Sequence, residues 1–246
     1  MSIRIALLSI ALLVGASSAR AGSGCPSGTD GPDEIYCSSG ADVHDGDGGD
    51  DLVVGRGGDD QLRAGEADDR VYGDGGLDML AGDAGNDRLY GGSRADSLAG
   101  SDGNDVLDGS TGADALSGGN GWDQIYGGPD DDELNGGDGI DHLAGGDGDD
   151  LLSGGRREDL LNGDEGADRI SGGGGPDEVY AGDGDDVIDL GGAVDVVLAG
   201  AGNDYVDAVD GYADRIRCGP GLDSVLANAI DRIGPGCEEV DRAEAP

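Results

Sequence analysis

The sequence predicts an all-β fold, a parallel β-roll (β-solenoid) in which two nine-residue repeats complete one coil. Three observations predict it: an unbroken nine-residue period in Asp, an aliphatic residue two places after almost every such Asp, and glycines clustered just before it. Composition alone points elsewhere. The 246 residues include 54 Gly and 54 Asp or Glu, with no Phe and one Trp, and aromatics make up only 3%. A conventional core needs more large apolar side chains, and high charge with low hydrophobicity reads as disorder unless the residues are ordered along the chain. Here they are ordered.

The period begins at Asp33 and continues through Asp42, Asp51, Asp60, Asp69, Asp78, Asp87, Asp96, Asp105 and Asp114. It goes on without insertion through Asp123, Asp132, Asp141, Asp150, Asp159, Asp168, Asp177, Asp186, Asp195 and Asp204. With this Asp as position 6, residues 28–207 form 20 consecutive repeats. Position 8 is aliphatic in 19 of the 20, from Ile35 to Val206, with His44 as the exception. Gly occupies position 1 in 15 and position 4 in 15, the departures at position 4 being Ala67, Arg94, Asp130, Arg157 and Ala193. The unit is G-x-x-G-x-D-x-U-x, with Gly frequent at position 2. After one extra residue, two weaker repeats carry Asp214 with Ile216 and Asp223 with Val225.

Each position has a physical task. Glycines at 1, 2 and 4 are expected to take positive φ and turn carbonyls toward one point. The position-6 Asp adds a carboxylate to that cluster, which suits a hard cation such as Ca²⁺ with its six to eight oxygen ligands. Positions 7–9 are expected to form a short strand with position 8 inward and 7 and 9 outward. Asp residues 18 apart then stack in two rows, with an ion between successive loops of a row. The core is a thin ladder of aliphatic side chains between two parallel sheets. Loops with Arg94, Arg157 or Asp130 at position 4 are expected to bind less well, because a side chain there resists the glycine conformation.

Stretches such as GGDGDDLLS (145–153), GDAGNDRLY (82–90) and GGNGWDQIY (118–126) resemble the RTX (repeats-in-toxin) family of hemolysin-type calcium-binding repeats, consensus GGxGxDxUx. The resemblance implies a Ca²⁺-stabilised β-roll with multiple ions held by the position-6 Asp and loop carbonyls. One departure is the N-terminal leader and the cysteines, where many family members carry a C-terminal secretion signal; no toxin role is carried over. Twenty loops in two rows leave up to 18 gaps. Without Arg4 and Arg20 the net charge of −40 becomes −42, and 18 Ca²⁺ would bring it to −6. Without ions the carboxylate rows repel one another, and binding energy is expected to serve as folding energy.

The ends differ from the repeats. Residues 1–21 read as a signal peptide: Arg4, an apolar run Ile5–Val14 too short to span a bilayer, and Ala19-Arg20-Ala21 as a small-x-small cleavage site. No other stretch is apolar enough to cross a membrane. Export makes disulfides plausible, and the four Cys form one pair at each end, favouring Cys25–Cys37 and Cys218–Cys237. Residues 22–27 are expected as an N-terminal cap, 28–226 as the repeats, and 227–246 as a C-terminal cap.

The acidity argues against nucleic acid and anionic membrane surfaces as partners. No HExxH, GxSxG or P-loop lysine is present, and little chain lies outside the repeats, so no enzyme is expected. His44 fills a core slot and His142 a surface slot. The Asp pairs at positions 5 and 6, such as Asp149-Asp150, recur with the loops and read as ligands or solvated turns rather than acid–base pairs. Position 9 is Tyr at Tyr36, Tyr72, Tyr90, Tyr126 and Tyr180, all in odd-numbered repeats and so on one sheet. Strand propensity explains this; the sharper reading is a face for a protein or polysaccharide partner, or for self-association. Ice binding is disfavoured because the only Thr are Thr29 and Thr111, with no outward ladder. The chain is therefore expected to be a secreted, extracellular calcium-binding protein acting as a structural or interaction module. The alternative is an accessory subunit for a separate secreted enzyme or toxin.

Overall fold

A strand can pair in parallel only with one reached through a full return of the chain, and two nonapeptides supply that return. The computed structural model describes residues 24–243. The leader expected at 1–21 lies outside them. Twenty-four strands and no helix occur among the described residues, so none of these forms a helix long and apolar enough to cross a membrane.

The chain divides into two units, one up to Gly128 and one from Pro129. In the first, one parallel sheet is built from Glu34–Tyr36, Leu52–Val54, Arg70–Gly75, Arg88–Ser93, Val106–Thr111 and Gln124–Pro129. The other is built from Val43–Asp45, Gln61–Glu66, Met79–Ala84, Ser97–Asp102 and Ala115–Gly121. In the second unit one sheet runs from His142–Asp147 to Arg232–Ile233 and the other from Glu133–Gly139 to Cys237–Arg242, each taking every second strand in order. The expected two repeats per coil is the observed topology: Val71 pairs with Leu89 and Leu152 with Ile170 in register.

Most strands are longer than positions 7–9. Arg70–Gly75 runs from position 7 through 9 into positions 1–3 of the next repeat, with Val71 and Gly73 buried and the outer residues exposed or half-buried. Period-two alternation therefore sends positions 8 and 1 inward together. Position 8 supplies the apolar bulk: Leu89, Leu98, Leu107 and Leu116 in the first unit, and Leu134, Leu143, Leu152 and Leu161 in the second, are fully buried. Position 1 supplies room.

Both expected disulfides are present, Cys25–Cys37 and Cys218–Cys237. Tyr36, Tyr72, Tyr90 and Tyr126 lie on one sheet of the first unit, and Tyr180 lies in the His142-to-Ile233 sheet of the second. The rings of Tyr72 and Tyr90 stack with centroids 4.8 Å apart, and Arg56 sits over the Tyr36 ring at 5.5 Å.

Candidate metal centres

Each position-6 Asp is placed by the turn that precedes its strand and is buried from Asp42 onward through Asp204. Its Oδ1 has a fixed task. The backbone N–H of Asp69 donates to Oδ1 of Asp87 at 2.8 Å, and that of Asp87 to Oδ1 of Asp105 at 2.8 Å. The other row behaves alike, Asp60 to Asp78 and Asp78 to Asp96. In the second unit the same bonds link Asp132, Asp150, Asp168, Asp186 and Asp204, and, in the other row, Asp141, Asp159, Asp177 and Asp195. The structure thus brings the expected residues together in rows with an 18-residue step.

The second oxygen, Oδ2, is different. At every ninth residue from Asp51 to Asp105 and from Asp150 to Asp204, and again at Asp214, it is buried without a hydrogen-bond partner. An anionic oxygen taken out of water with nothing bound to it is costly, and native proteins rarely leave one so. A row of them is the donor set a hard cation needs.

The position-1 glycine leaves space beside this oxygen. A Cβ added at Gly73 would stand 2.5 Å from Oδ2 of Asp78 and 2.6 Å from the carbonyl oxygen of Gly91 in the next coil. At Gly145 the corresponding oxygens, of Asp150 and Gly163, lie 2.2 and 2.9 Å away. Carboxylate and carbonyl oxygens therefore converge where a side chain would otherwise sit. This corrects one expectation: positive φ occurs at positions 2 and 4, whereas Gly73 and Gly145 at position 1 are needed for room. At position 4, Arg94, Asp130 and Arg157 still turn, with φ of 81°, 84° and 80°. The side chain does not prevent the conformation but bears its strain, about 1–2 kcal/mol per residue.

At the start of the rows the pattern closes on itself. Oδ2 of Asp33 accepts bonds from the Thr29 N–H and hydroxyl, and Oδ2 of Asp42 from the Ser38 N–H and hydroxyl. At the far end Asp223 and Asp231 join the rows, and their Oδ2 atoms accept the N–H of Gly219 and Asn228. Position 5 carries a second ladder. Oδ1 of Asp68 accepts the N–H of Asn86, Oδ1 of Asn86 that of Asn104, and Oδ1 of Asn104 that of Trp122. The position-5 member of Asp149-Asp150 likewise takes the N–H of Ala167. Its role in the Asp pairs is to satisfy turn backbone, a pattern that recurring Asp and Asn at position 5 would have indicated.

The carboxyls titrate abnormally. Burial raises Asp105 to about 7 against the lowering bond from the Asp87 N–H, and the neighbouring Asp123 and Asp87 charges add to the rise. Burial likewise takes Asp69 and Asp159 to about 7 and Asp177 to about 8. His44 is buried in its core slot; burial pushes its imidazole below the usual range against the charges of Asp45 and Asp51.

Comparison with protein families matches the RTX calcium-binding nonapeptide repeat (4 copies) in ten overlapping stretches that together span residues 27–212. The chain belongs to this family. RTX repeats bind Ca²⁺, and the regularly spaced buried Asp residues suit multiple calcium sites. An RTX β-roll is a structural calcium-binding fold rather than a catalytic one. A search of curated proteins finds no match to the chain.

Proposed function

We propose that this RTX-repeat chain is a secreted protein that folds on binding many Ca²⁺ ions and then serves as a structural or interaction module outside the cell. The observation that carries the binding reading is the buried, unpartnered Oδ2 recurring every nine residues. The ligands proposed are the position-6 Asp residues, with loop carbonyls completing each set. Asp33 and Asp42, whose outer oxygens are bonded to Thr29 and Ser38, close the rows. When bound, the ion supplies the positive charge that lets facing carboxylates stay ionised in a buried loop. The chain's own residues hold those carboxylates in place through the Oδ1 bonds and exclude water with the position-8 ladder. The segments 22–27 and 227–246 are proposed as caps that protect the open sheet edges. Secretion is supported by the leader pattern at 1–21 and by the disulfides, which form in oxidising compartments.

Calorimetric titration of the full chain with Ca²⁺ and Mg²⁺ tests the binding reading. Uptake of many Ca²⁺ per chain, with weak or no uptake of Mg²⁺, is expected; absence of Ca²⁺ uptake would overturn it. The Tyr face is proposed as the interaction surface. Replacing Tyr72, Tyr90 and Tyr126 with Ser should reduce recovery of partners, or self-association, in Ca²⁺; unchanged recovery would reject that surface.

A further inference from the structure

The nonapeptide frame shifts after Asp207, and the shift creates a cluster of three carboxylates found nowhere else among the described residues. One residue is inserted after Asp207, so the ladder bonds there span 19 residues: Asp195 N–H to Oδ1 of Asp214 at 2.9 Å. The loop that absorbs the insertion carries Asp210, which stands outside the position-6 ladder. Its carboxylate is pinned. Oδ2 accepts the Ala193 N–H at 3.0 Å, and Oδ1 accepts the Tyr212 N–H at 2.8 Å and the Asn228 side-chain amide at 3.2 Å. Carboxylate oxygens of Asp195, Asp210 and Asp214 lie within 4.8 Å of one another. Asp195 and Asp214 are both 0% exposed, and Oδ2 of each has no hydrogen-bond partner. None of the ion pairs formed by Arg63, Arg94 and Arg156 reaches them.

Regular repeats do not achieve this. Asp102, Asp138, Asp147 and Asp183 stand where Asp210 does, two residues after the inward residue that follows position 9, but all four are exposed. Asp138 pairs with Arg156, and Asp102 accepts the side-chain amide of Asn120. Asp210 is half-buried and turns its carboxylate to the ladder instead.

We infer that Asp195, Asp210 and Asp214 form a Ca²⁺ site of a different kind from the repeat gaps, one that binds more tightly and is the last to empty. The inference rests on the calcium-binding reading of the chain. Affinity in oxygen-ligand sites rises with the number of charged ligands and with rigidity. This site has three carboxylates. It is also rigid: Asp210 is held by three hydrogen bonds, and Cys218, four residues after Asp214, is tied to Cys237. A crosslink that restrains the loop before binding lowers the ordering cost of forming the site.

The test is equilibrium dialysis of the Ca²⁺-loaded full chain against falling free Ca²⁺, comparing wild type with D210N, N228A and D74N. D210N removes the third charge and keeps the side chain's size, while its amide serves only one of the two accepting oxygens. N228A removes one of the bonds that hold Asp210. D74N removes an exposed charge away from any cluster. Wild type and D74N should keep one ion at free Ca²⁺ about tenfold below the midpoint for the rest. D210N should lose that ion with the others, and N228A should fall between. A Tb³⁺ titration excited through tyrosine gives a second readout, because Tyr212 is two residues from Asp210: the emission from the first equivalent should be lost in D210N and kept in D74N. Far-UV circular dichroism in saturating Ca²⁺ checks that each variant is folded. Should D210N fold poorly, N228A carries the comparison. Release of all wild-type ions in one step, or retention of the last ion unchanged in both D210N and N228A, would overturn the site while leaving the calcium reading intact. No Ca²⁺ uptake by wild type would overturn both.

Discussion

Acidification should substitute for calcium. Among the ladder carboxyls, burial raises Asp60, Asp87, Asp96, Asp150, Asp168 and Asp195 to about 6, Asp69, Asp105, Asp159, Asp186 and Asp214 to about 7, and Asp177 to about 8. In the unfolded chain each would titrate near the ordinary 3.8. Between about pH 4 and pH 7 the ion-free fold therefore binds more protons than the unfolded chain, and its stability falls as pH rises through that window. One pKa unit corresponds to about 1.4 kcal/mol. Each ladder carboxyl thus costs the ion-free fold on the order of a few kcal/mol at neutral pH, less whatever water in the loops screens. Several such groups together rival the roughly 5–15 kcal/mol that a domain has to spare. The assay is far-UV circular dichroism of protein stripped of metal on a chelating resin, scanned from pH 8 to pH 5 in metal-free buffer. The expected result is coil at pH 8 and gain of β signal on acidification. Added Ca²⁺ at pH 6 should then release protons as the ion displaces them. An ion-free protein equally β at pH 8 and pH 5, or coil at both, would refute the reasoning.

Substitutions at three positions probe separate parts of the fold. Asp87→Ala removes both the acceptor for the Asp69 N–H and the outer oxygen; it should raise the Ca²⁺ midpoint and cost about 1–3 kcal/mol for the stranded N–H. Asp87→Asn keeps an acceptor, so chemical denaturation in saturating Ca²⁺ should show a smaller loss while the Ca²⁺ midpoint still rises. Gly103→Ala places a Cβ 1.5 Å from the Gly85 carbonyl oxygen at φ 145°; thermal melts should show destabilisation well above the ~1 kcal/mol of a tolerated glycine change. Leu107→Ala empties a fully buried slot and should cost about 2–5 kcal/mol by urea unfolding in Ca²⁺.

Much of this architecture is legible in the sequence because a nine-residue repeat leaves few ways to bury its one aliphatic residue. Ile35 to Val206 mark the inward positions, the Asp series marks the two rows, and Cys25, Cys37, Cys218 and Cys237 mark the ends. What spacing does not encode is which atom meets which. The bond from Asp69 N–H to Asp87 Oδ1 runs between coils, so a carboxylate that reads as a pure ligand divides its two oxygens between structure and site. Position-1 glycines such as Gly73 read as flexible, whereas their task is steric and set by the carboxylate five residues on. Asp210 and Asp231 escape a nine-residue count because register shifts to 19 and then 17 residues after the inserted residue. Only the parallel pairing of Val197 with Ile216, and of Ile216 with Ile233, places them beside the rows.

The central claim is that calcium makes this fold. Its most direct test is far-UV circular dichroism of the protein at pH 7.5, first in EDTA and then through a Ca²⁺ titration from micromolar to millimolar, with Mg²⁺ as control. The account predicts coil in EDTA and a cooperative change to β with Ca²⁺ alone, with a midpoint of about 10⁻⁴–10⁻³ M if it behaves as an extracellular module. A full β spectrum in EDTA that Ca²⁺ leaves unchanged would contradict it.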